Sequence, residues 1–458
     1  MAIVFENYRQ DQAAIDLPLL AAGHSQRTVA WRHGEPVSAA RFLAHVQAIA
    51  AQLPPAATAV NLCEDRYAFL VAFCAIAWRG QANLLPSSRA PQAVAEVMAG
   101  HPGCYAVGER ALDVPPAHYL HLPELLVAPD AELPLEPLTI PADQVVAIGY
   151  TSGSTGVPKG NAKTWGSFHA SNAGNLHMLH AAVGAGFHVV ATVPPQHMFG
   201  MEMSVLLPLL DDVGVHAGRP FFPADVAAAL AEIPAPRVLV TTPVHLRALV
   251  ESGVSLPPIA AMVSATAPMP TELAQTAEAR YGAPLLEVFG STETCVIASR
   301  RSAADEPWTL YDDVQLQPQP DGTTVRAPQL DEPITLADIV TLYDGGRRFR
   351  LSGRHSDMLE IAGKRASLGD LTRRLLAIPG VKDGVVFQLD SGDARGINRI
   401  AALAVAPGLR EQAILDALRE AVDPVFLPRP LKLVDALPRN ETGKLPRVAM
   451  LALLDGRE

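Results

Sequence analysis

"YTSGSTGVPKG", Tyr150–Gly160, decides how the rest of the chain is read. Four hydroxyl side chains (Thr151, Ser152, Ser154 and Thr155) stand among three glycines, and one cation, Lys159, follows between Pro158 and Gly160. The run comes after a β-branched stretch, "QVVAIGY" (144–150), and before a helix-like segment. Glycines leave backbone N–H groups open to a ligand and the hydroxyls add donors, and both suit phosphate oxygens. Lys159 adds a point charge. The run is not a G-x-x-x-x-G-K-[ST] loop: Pro158 precedes the lysine, and Gly160 follows it where that loop carries a magnesium-binding hydroxyl. It reads as a phosphate loop of another kind. The alternative is a plain surface loop, against which stands the backbone entropy lost in ordering so many small residues.

Outward from the loop, short apolar runs alternate with helical patterns. "FHVVATV" (187–193), "RVLVTT" (237–242), "IAAMVSA" (259–265) and "PLLEVF" (284–289) read as strands. "PADVAAALAEI" (223–233) and "TELAQTAEARYG" (271–282) read as the helices between them. That alternation predicts parallel sheet with crossover helices. Residues 303–335 are rich in Pro, Asp and Gln, with "QPQPDGTT" (317–324) as a turn signal, and read as short strands and loops. After "RFRLSGRHSD" (348–357), two amphipathic helices, "SLGDLTRRLLAI" (367–378) and "LREQAILDALREAV" (409–422), and two strands, "GVVFQL" and "RIAALAVA", make an α+β unit of roughly a hundred residues.

Composition narrows the class. A chain of 458 residues exceeds one ordinary core. With 49 % hydrophobic and 18 % charged residues it is no disordered chain. A net charge of −11 gives no support for nucleic-acid binding. Cys63, Cys74, Cys104 and Cys295 form no CxxC pair, which fits a reducing compartment rather than a zinc or disulfide framework. The N-terminal "MAIVFENYRQDQ" lacks a signal peptide's apolar core. The longest apolar run, "AFLVAFCAIAW" (68–78), is too short to span a bilayer and reads as a buried helix. The expectation is a cytoplasmic protein without a transmembrane segment.

Five further motifs follow the loop in a fixed order: "PPQHMFGM" (194–201), "VFGSTET" (288–294), "LADIV" (336–340), "LSGRHSDMLEIAGKR" (351–365) and "PRNETGKLPR" (438–447). Together with the loop they resemble the adenylate-forming superfamily of acyl-CoA synthetases, luciferases and peptide-synthetase adenylation domains. The resemblance covers residues 140 to 447 and leaves the first 140 unread. It implies a large N-terminal α/β domain (1–352) with mixed, largely parallel sheets, a hinge (353–357), and a small mobile α+β C-terminal domain (358–458). It also implies a reaction. A carboxylic acid attacks the α-phosphate of ATP, acyl-AMP and pyrophosphate form, and a pantetheine thiol of coenzyme A or of a separate acyl-carrier protein displaces AMP. The residues agree with that chemistry: two anions must be brought together by a metal and cations, and no "GxSxG" nucleophile motif is present.

The resemblance assigns roles residue by residue. Thr151, Ser152, Gly153, Ser154, Thr155, Gly156 and Lys159 would hold the β- and γ-phosphates. Glu293 would bind magnesium, a hard cation that wants a carboxylate beside phosphate oxygens, and Thr292 would meet the α-phosphate. Gly290 and Ser291 belong to the same motif. Ala265 and Thr266, in "SATAPMP" (264–270), would flank adenine. Phe289 replaces the usual tyrosine, with an adenine contact and plain core packing both open. Asp338 and Arg354 would hold the ribose. Lys444 would be the catalytic lysine of the adenylation step, and Gly363, Lys364 and Arg365 would face the thiol. His197, a catalytic candidate, and Phe199 would stand near the reacting carboxylate, with Thr241, Thr242 and His245 lining the acid pocket. Departures are "LA" before Asp338 where "TG" is usual, Ser356 at the hinge, Trp165 in place of a histidine, and the short chain. Compact length and "GKRASL" resemble bacterial aryl or acyl acid ligases of pigment or aryl-polyene pathways. A medium- or long-chain fatty acyl ligase and a non-catalytic nucleotide-binding module are the alternatives.

Overall fold

The computed structural model describes residues 15–21, 26–122, 138–151, 159–354, 358–361, 364–389, 400–439 and 445–456. The alternating apolar runs form two sheets. One has six strands in the order Lys159–Thr164, Val145–Thr151, Ala82–Leu85, Thr58–Asn61, Tyr105–Gly108 and Tyr119–His121. The other has eleven. Its parallel middle runs Leu285–Ser291, Ala261–Ser264, Arg237–Thr241, His188–Ala191, Gly214–His216 and Thr28–Arg32. Antiparallel strands flank that middle: Glu35–Ser38 on one side, and Cys295–Arg301, Trp308–Leu310, Arg348–Arg354 and Asp338–Tyr343 on the other. The expected strands and crossover helices are present, Pro223–Ala231 and Thr271–Tyr281 among the latter.

The apolar run after residue 65 is the helix Arg66–Trp78, capped by Asp65, whose carboxylate accepts from the Ala68 N–H at 2.8 Å. It is apolar on all sides and buried all round, as a core helix must be. Its one charged residue ties the helix to the larger sheet. Arg66 is fully buried and donates to the carbonyls of Ala191 and Val193, each at 2.9 Å, and to the Ser204 hydroxyl. Burial, then the neighbouring Arg219, pulls its guanidinium down to about 9, so it remains charged at neutral pH.

One sequence expectation is corrected. The glycine–hydroxyl run does not lead from a strand into a helix. Lys159–Thr164 is a strand antiparallel to Val145–Thr151, with Lys159 opposite Thr151 and Lys163 opposite Ala147. The helix Trp165–Val183 starts only afterwards, where the Thr164 hydroxyl accepts from the Ser167 N–H at 3.1 Å. "KGNAKT" pairs as a strand because its carbonyl and N–H groups find an open sheet edge. The run therefore stands between two antiparallel strands, and the next helix begins at Trp165.

The C-terminal unit is a three-stranded sheet, Asp383–Gln388, Ile400–Val405 and Leu431–Leu433, covered by the helices Leu368–Leu376 and Glu411–Ala421. Leu371, Leu375, Val386, Ile414 and Leu418 form its core. The strand Arg348–Arg354 continues through Ser352 and Gly353, paired to Ile339 and Asp338 at its end; His355–Asp357 lie outside the described residues. No helix among the described residues is long and apolar enough to cross a membrane, and all four cysteines are buried free thiols.

Arg66 sets a stability expectation. Arg66→Met leaves two buried carbonyls without donors, at about 1–3 kcal/mol each. Urea unfolding should show a loss of about 3 kcal/mol, and a loss below about 1 kcal/mol would remove Arg66 as the link between helix and sheet.

Candidate active site

Thr292 and Glu293 sit on a three-residue turn between the antiparallel strands Leu285–Ser291 and Cys295–Arg301. The turn is tight. A Cβ on Gly290 would lie 2.1 Å from the Cys295 carbonyl oxygen, so only glycine fits. Cys295 takes φ +58°, a left-handed value that few side chains adopt. The Thr294 hydroxyl accepts from the Ser291 N–H at 3.1 Å and donates to the Cys295 carbonyl at 2.8 Å, closing the turn on itself. Its outer face meets the six-stranded sheet, where a Cβ on Gly149 would touch the Thr292 methyl at 3.0 Å.

The strand Lys159–Thr164 and the turn line one cavity of about 380 Å³, bounded by Gly160, Lys163, Ser167, Glu293, Gln329 and Asp331 among others. Two of the predicted phosphate-binding residues are described: Thr151 and Lys159 face each other across the mouth of the hairpin, with Lys159 exposed. Ser152, Gly153, Ser154, Thr155 and Gly156 lie outside the described residues, as do Gly363 and Lys444.

Asp338 and Arg354, sixteen positions apart in sequence, are directly opposite each other on adjacent antiparallel strands. The Asp338 carbonyl accepts from the Thr323 hydroxyl at 2.6 Å, which fixes the start of its strand. The predicted pair is thus brought together by backbone register. Lys364 and Arg365 begin a strand paired with Met358–Ile361. Phe289, half-buried, packs on Trp308 and Phe349, with ring centroids 5.4 and 5.6 Å away. Thr266, exposed, has φ +78°, uncommon for a β-branched residue.

The residues expected around the acid converge at the ends of the parallel strands. The Thr192 hydroxyl meets Thr241 Oγ1 at 3.2 Å and His245 Nδ1 at 2.8 Å, and the Thr242 hydroxyl accepts from the His245 N–H at 3.3 Å. Burial, then Arg219, lowers the His245 pKa, which favours the neutral imidazole. His197 is half-buried and precedes the helical segment Met198–Met201, which continues into a π-helical turn, Glu202–Leu206. Such turns recur at functional sites.

Three buried charged residues escaped the sequence reading. Glu287 accepts from the Met269 N–H at 3.0 Å, Arg300 Nε at 2.7 Å and the Ser302 hydroxyl at 2.7 Å, so it ties the loop after Ser264 to the sheet. Lys163, 5 % exposed, donates from Nζ to the Glu293 carbonyl at 2.5 Å. Glu202, 1 % exposed, accepts from the Val296 N–H with both oxygens at 3.1 Å and from Asn175 at 3.3 Å. A charge in the middle of "GNAKTW" or "GMEMSV" looks like any surface residue; no pattern in the sequence marks it as buried.

Burial pushes the Glu202 carboxyl up to about 7, against the opposing effects of the Val296 N–H, Lys163, Asn175 and Ser171. The folded state then holds a proton that the unfolded chain has released, so stability falls as pH rises from about 4.5 to 7. Glu202→Gln keeps an acceptor for Val296 and removes the titration. Urea unfolding of wild type and variant at pH 5 and pH 8 should show a pH-dependent loss smaller by about 2 kcal/mol in the variant. Equal losses would mean that Glu202 stays ionised throughout.

Comparisons with known proteins bear on the family and the fold. A 4-coumarate–CoA ligase of Rhodobacter capsulatus is 32 % identical over 302 residues, 65 % of this chain and 74 % of that protein. The 4-coumarate–CoA ligase of Halorhodospira halophila is 28 % identical over 305 residues, 64 % of this chain and 73 % of that protein. Among solved structures, o-succinylbenzoate CoA synthetase from Bacillus subtilis, in complex with its acyl-adenylate intermediate, superposes with a TM-score of 0.77 at 18 % identity, covering 95 % of this chain and 98 % of that one. That likeness concerns the fold: a large α/β domain with mixed sheets and a smaller C-terminal domain. The family model described as AMP-binding enzyme matches residues 24–326. Matched over well more than half its length, with the hairpin, the turn and the parallel strand ends all inside the match, the chain belongs to the AMP-binding enzyme family.

Proposed function

We propose that this chain activates a carboxylic acid with ATP and passes the acyl group to a pantetheine thiol. The observation that supports it best is the shared cavity, in which the hairpin strand Lys159–Thr164 and Glu293 face one space. A carboxylate oxygen attacks the α-phosphorus, the bond to pyrophosphate breaks, and acyl-AMP forms. A thiol sulfur then attacks the acyl carbon and gives up its proton to water, the bond to the phosphate oxygen breaks, and AMP leaves. The hairpin mouth, Thr151 to Lys159, holds the outer phosphates; Thr292 meets the α-phosphate; Asp338 and Arg354 hold the ribose. Ala265, Thr266 and one face of Phe289 flank the base, and His197 stands by the reacting carboxylate.

Among the described residues no three His, Cys, Asp or Glu side chains converge as a metal cage. Glu293 in a cavity that Asp331 and Glu332 also line fits the other way of holding magnesium, in which one or two carboxylates are completed by phosphate oxygens and water. When bound there, the ion neutralises charge on the phosphates. Glu293 is its protein ligand, and the neighbouring Thr292 orients the α-phosphate.

The coumarate ligases among the relatives favour an aryl acid. Coenzyme A is the simpler thiol, with a separate acyl-carrier protein as the alternative. Residues 1–352 and 358–458 act as two bodies about 353–357, so that Lys444 serves the first step and Gly363 to Arg365 the second.

The purified protein should exchange labelled pyrophosphate into ATP only with magnesium and a suitable acid, tested across benzoates, cinnamates and fatty acids. No exchange with any acid, from folded protein that still binds ATP, would leave a nucleotide-binding module instead. The two steps also separate in one variant. Lys444→Ala should slow acyl-AMP formation on the order of 10²–10³-fold, the cost of one donor to the transition state. It should leave thioester formation from supplied acyl-AMP within about twofold of wild type, since that donor is needed only in the first step. Equal losses in both steps would remove Lys444 as a group specific to adenylation.

A further inference from the structure

The turn that carries Thr292 and Glu293, with the strand just beyond it, is held by three side chains that bond its backbone. Lys163 donates to the Glu293 carbonyl at 2.5 Å, Gln329 Nε2 donates to the Thr294 carbonyl at 3.0 Å, and Glu202 accepts from the Val296 N–H just beyond. A lysine is an expensive group to bury, and a carbonyl alone does not balance its charge. Lys163 in turn favours ionisation of the buried Glu202 carboxyl. Glu202 is itself fixed by Asn175, whose amide oxygen accepts from the Tyr311 hydroxyl at 2.9 Å. The pair therefore spans three elements: the hairpin strand Lys159–Thr164, the helical segment that follows His197, and the strand Cys295–Arg301.

We propose that Lys163 is a positioning residue for the nucleotide site: by holding the Glu293 carbonyl, it sets where the Glu293 carboxylate meets the metal and phosphates. This rests on the reading of Glu293 as the metal-binding carboxylate. The physical case is leverage. The turn's own hydrogen bonds run among Ser291, Thr294 and Cys295, and the Glu293 carboxylate stands at the end of a side chain, so a small tilt of the backbone displaces it enough to matter. Groups that orient a metal ligand without touching the ion typically change metal affinity 10–100-fold when removed. Lys163 reaches the ligand residue through its backbone, and does so from the strand that also carries Lys159, so that strand and the turn are bonded directly.

The test uses the full chain and reads ATP binding by titration calorimetry across a magnesium series, with thermal unfolding alongside. Lys163→Met removes the donor and leaves the buried Glu202 in place. Lys163→Met/Glu202→Gln removes both ionisable groups while keeping an acceptor for Val296, and carries the test if the single variant does not fold. Both variants should need about tenfold more magnesium for half-maximal ATP affinity, with the double variant melting within a few degrees of wild type. A double variant with wild-type magnesium dependence would overturn the proposal, because the pair would then serve packing alone. Glu293→Gln separates the two ideas. A raised magnesium requirement in Glu293→Gln beside an unchanged one in Lys163→Met overturns the positioning role and leaves the metal ligand standing. An unchanged requirement in Glu293→Gln overturns the metal ligand, and the positioning role with it.

Discussion

The missing side chain at residue 290 is the constraint on which the site depends. With no Cβ, Gly290 lets the backbone fold back to within contact of the Cys295 carbonyl, and the last strand of the parallel region turns into an antiparallel one within three residues. That reversal throws Thr292 and Glu293 beyond the carboxyl end of the strand. The three neighbouring strands end level with one another, where Ser264 pairs with Glu287 and Thr241 with Ser264: Ala261–Ser264 leads to Ala265 and Thr266, Arg237–Thr241 to Thr242 and His245, and His188–Ala191 to Thr192 and His197. Three loops thus open on one rim, the place where α/β sheets bind ligands, and the turn after Ser291 projects beyond it.

Loops on a rim are not rigid by themselves, and the chain stiffens these in one way repeated four times. Arg66 holds the carbonyls of Ala191 and Val193, Glu287 holds the Met269 N–H, Lys163 holds the Glu293 carbonyl, and Glu202 holds the Val296 N–H. In each case a buried ionisable side chain bonds backbone at a strand end or in the loop that follows one. A charged partner makes a stronger hydrogen bond than a neutral one, and the desolvation of the charge is offset only while that bond is made. The same groups that fix the loops would be costly to leave behind if a loop moved, so the rim resists displacement from within.

How much of this was legible in the sequence depended on how far each feature reaches. The strands from Val145 to Ser291 and the amphipathic helices of the C-terminal unit were readable because their periodicity is local and long enough to outweigh propensity noise. The hairpin was not. "KGNAKT" has no strand composition, and it pairs because the edge of Val145–Thr151 is open, a fact of tertiary structure. Asp338 and Arg354 were named by motif, but their apposition comes from the register of two strands and the turn between them. Phe289 was legible as an aromatic; its partners Trp308 and Phe349 lie on strands distant in sequence. Lys163, Glu202 and Glu287 were invisible for a simpler reason: one charged letter carries no record of its burial.

The hairpin's register has a consequence of its own. Side chains alternate along a strand, so Lys159, Asn161 and Lys163 project to one face of Lys159–Thr164, and Gly160 and Ala162 to the other. Lys159 ends in solvent at the hairpin mouth while Lys163 ends buried under the Glu293 carbonyl. A slip of one residue along Val145–Thr151 would exchange the faces, carrying both ammonium groups off the face that meets the Glu293 turn at once and setting a glycine and an alanine in their places. The two cations are therefore one structural variable. Changes of length in the connection that preserve the Thr151–Lys159 pairing leave both where they are, and any change that shifts the pairing loses both together.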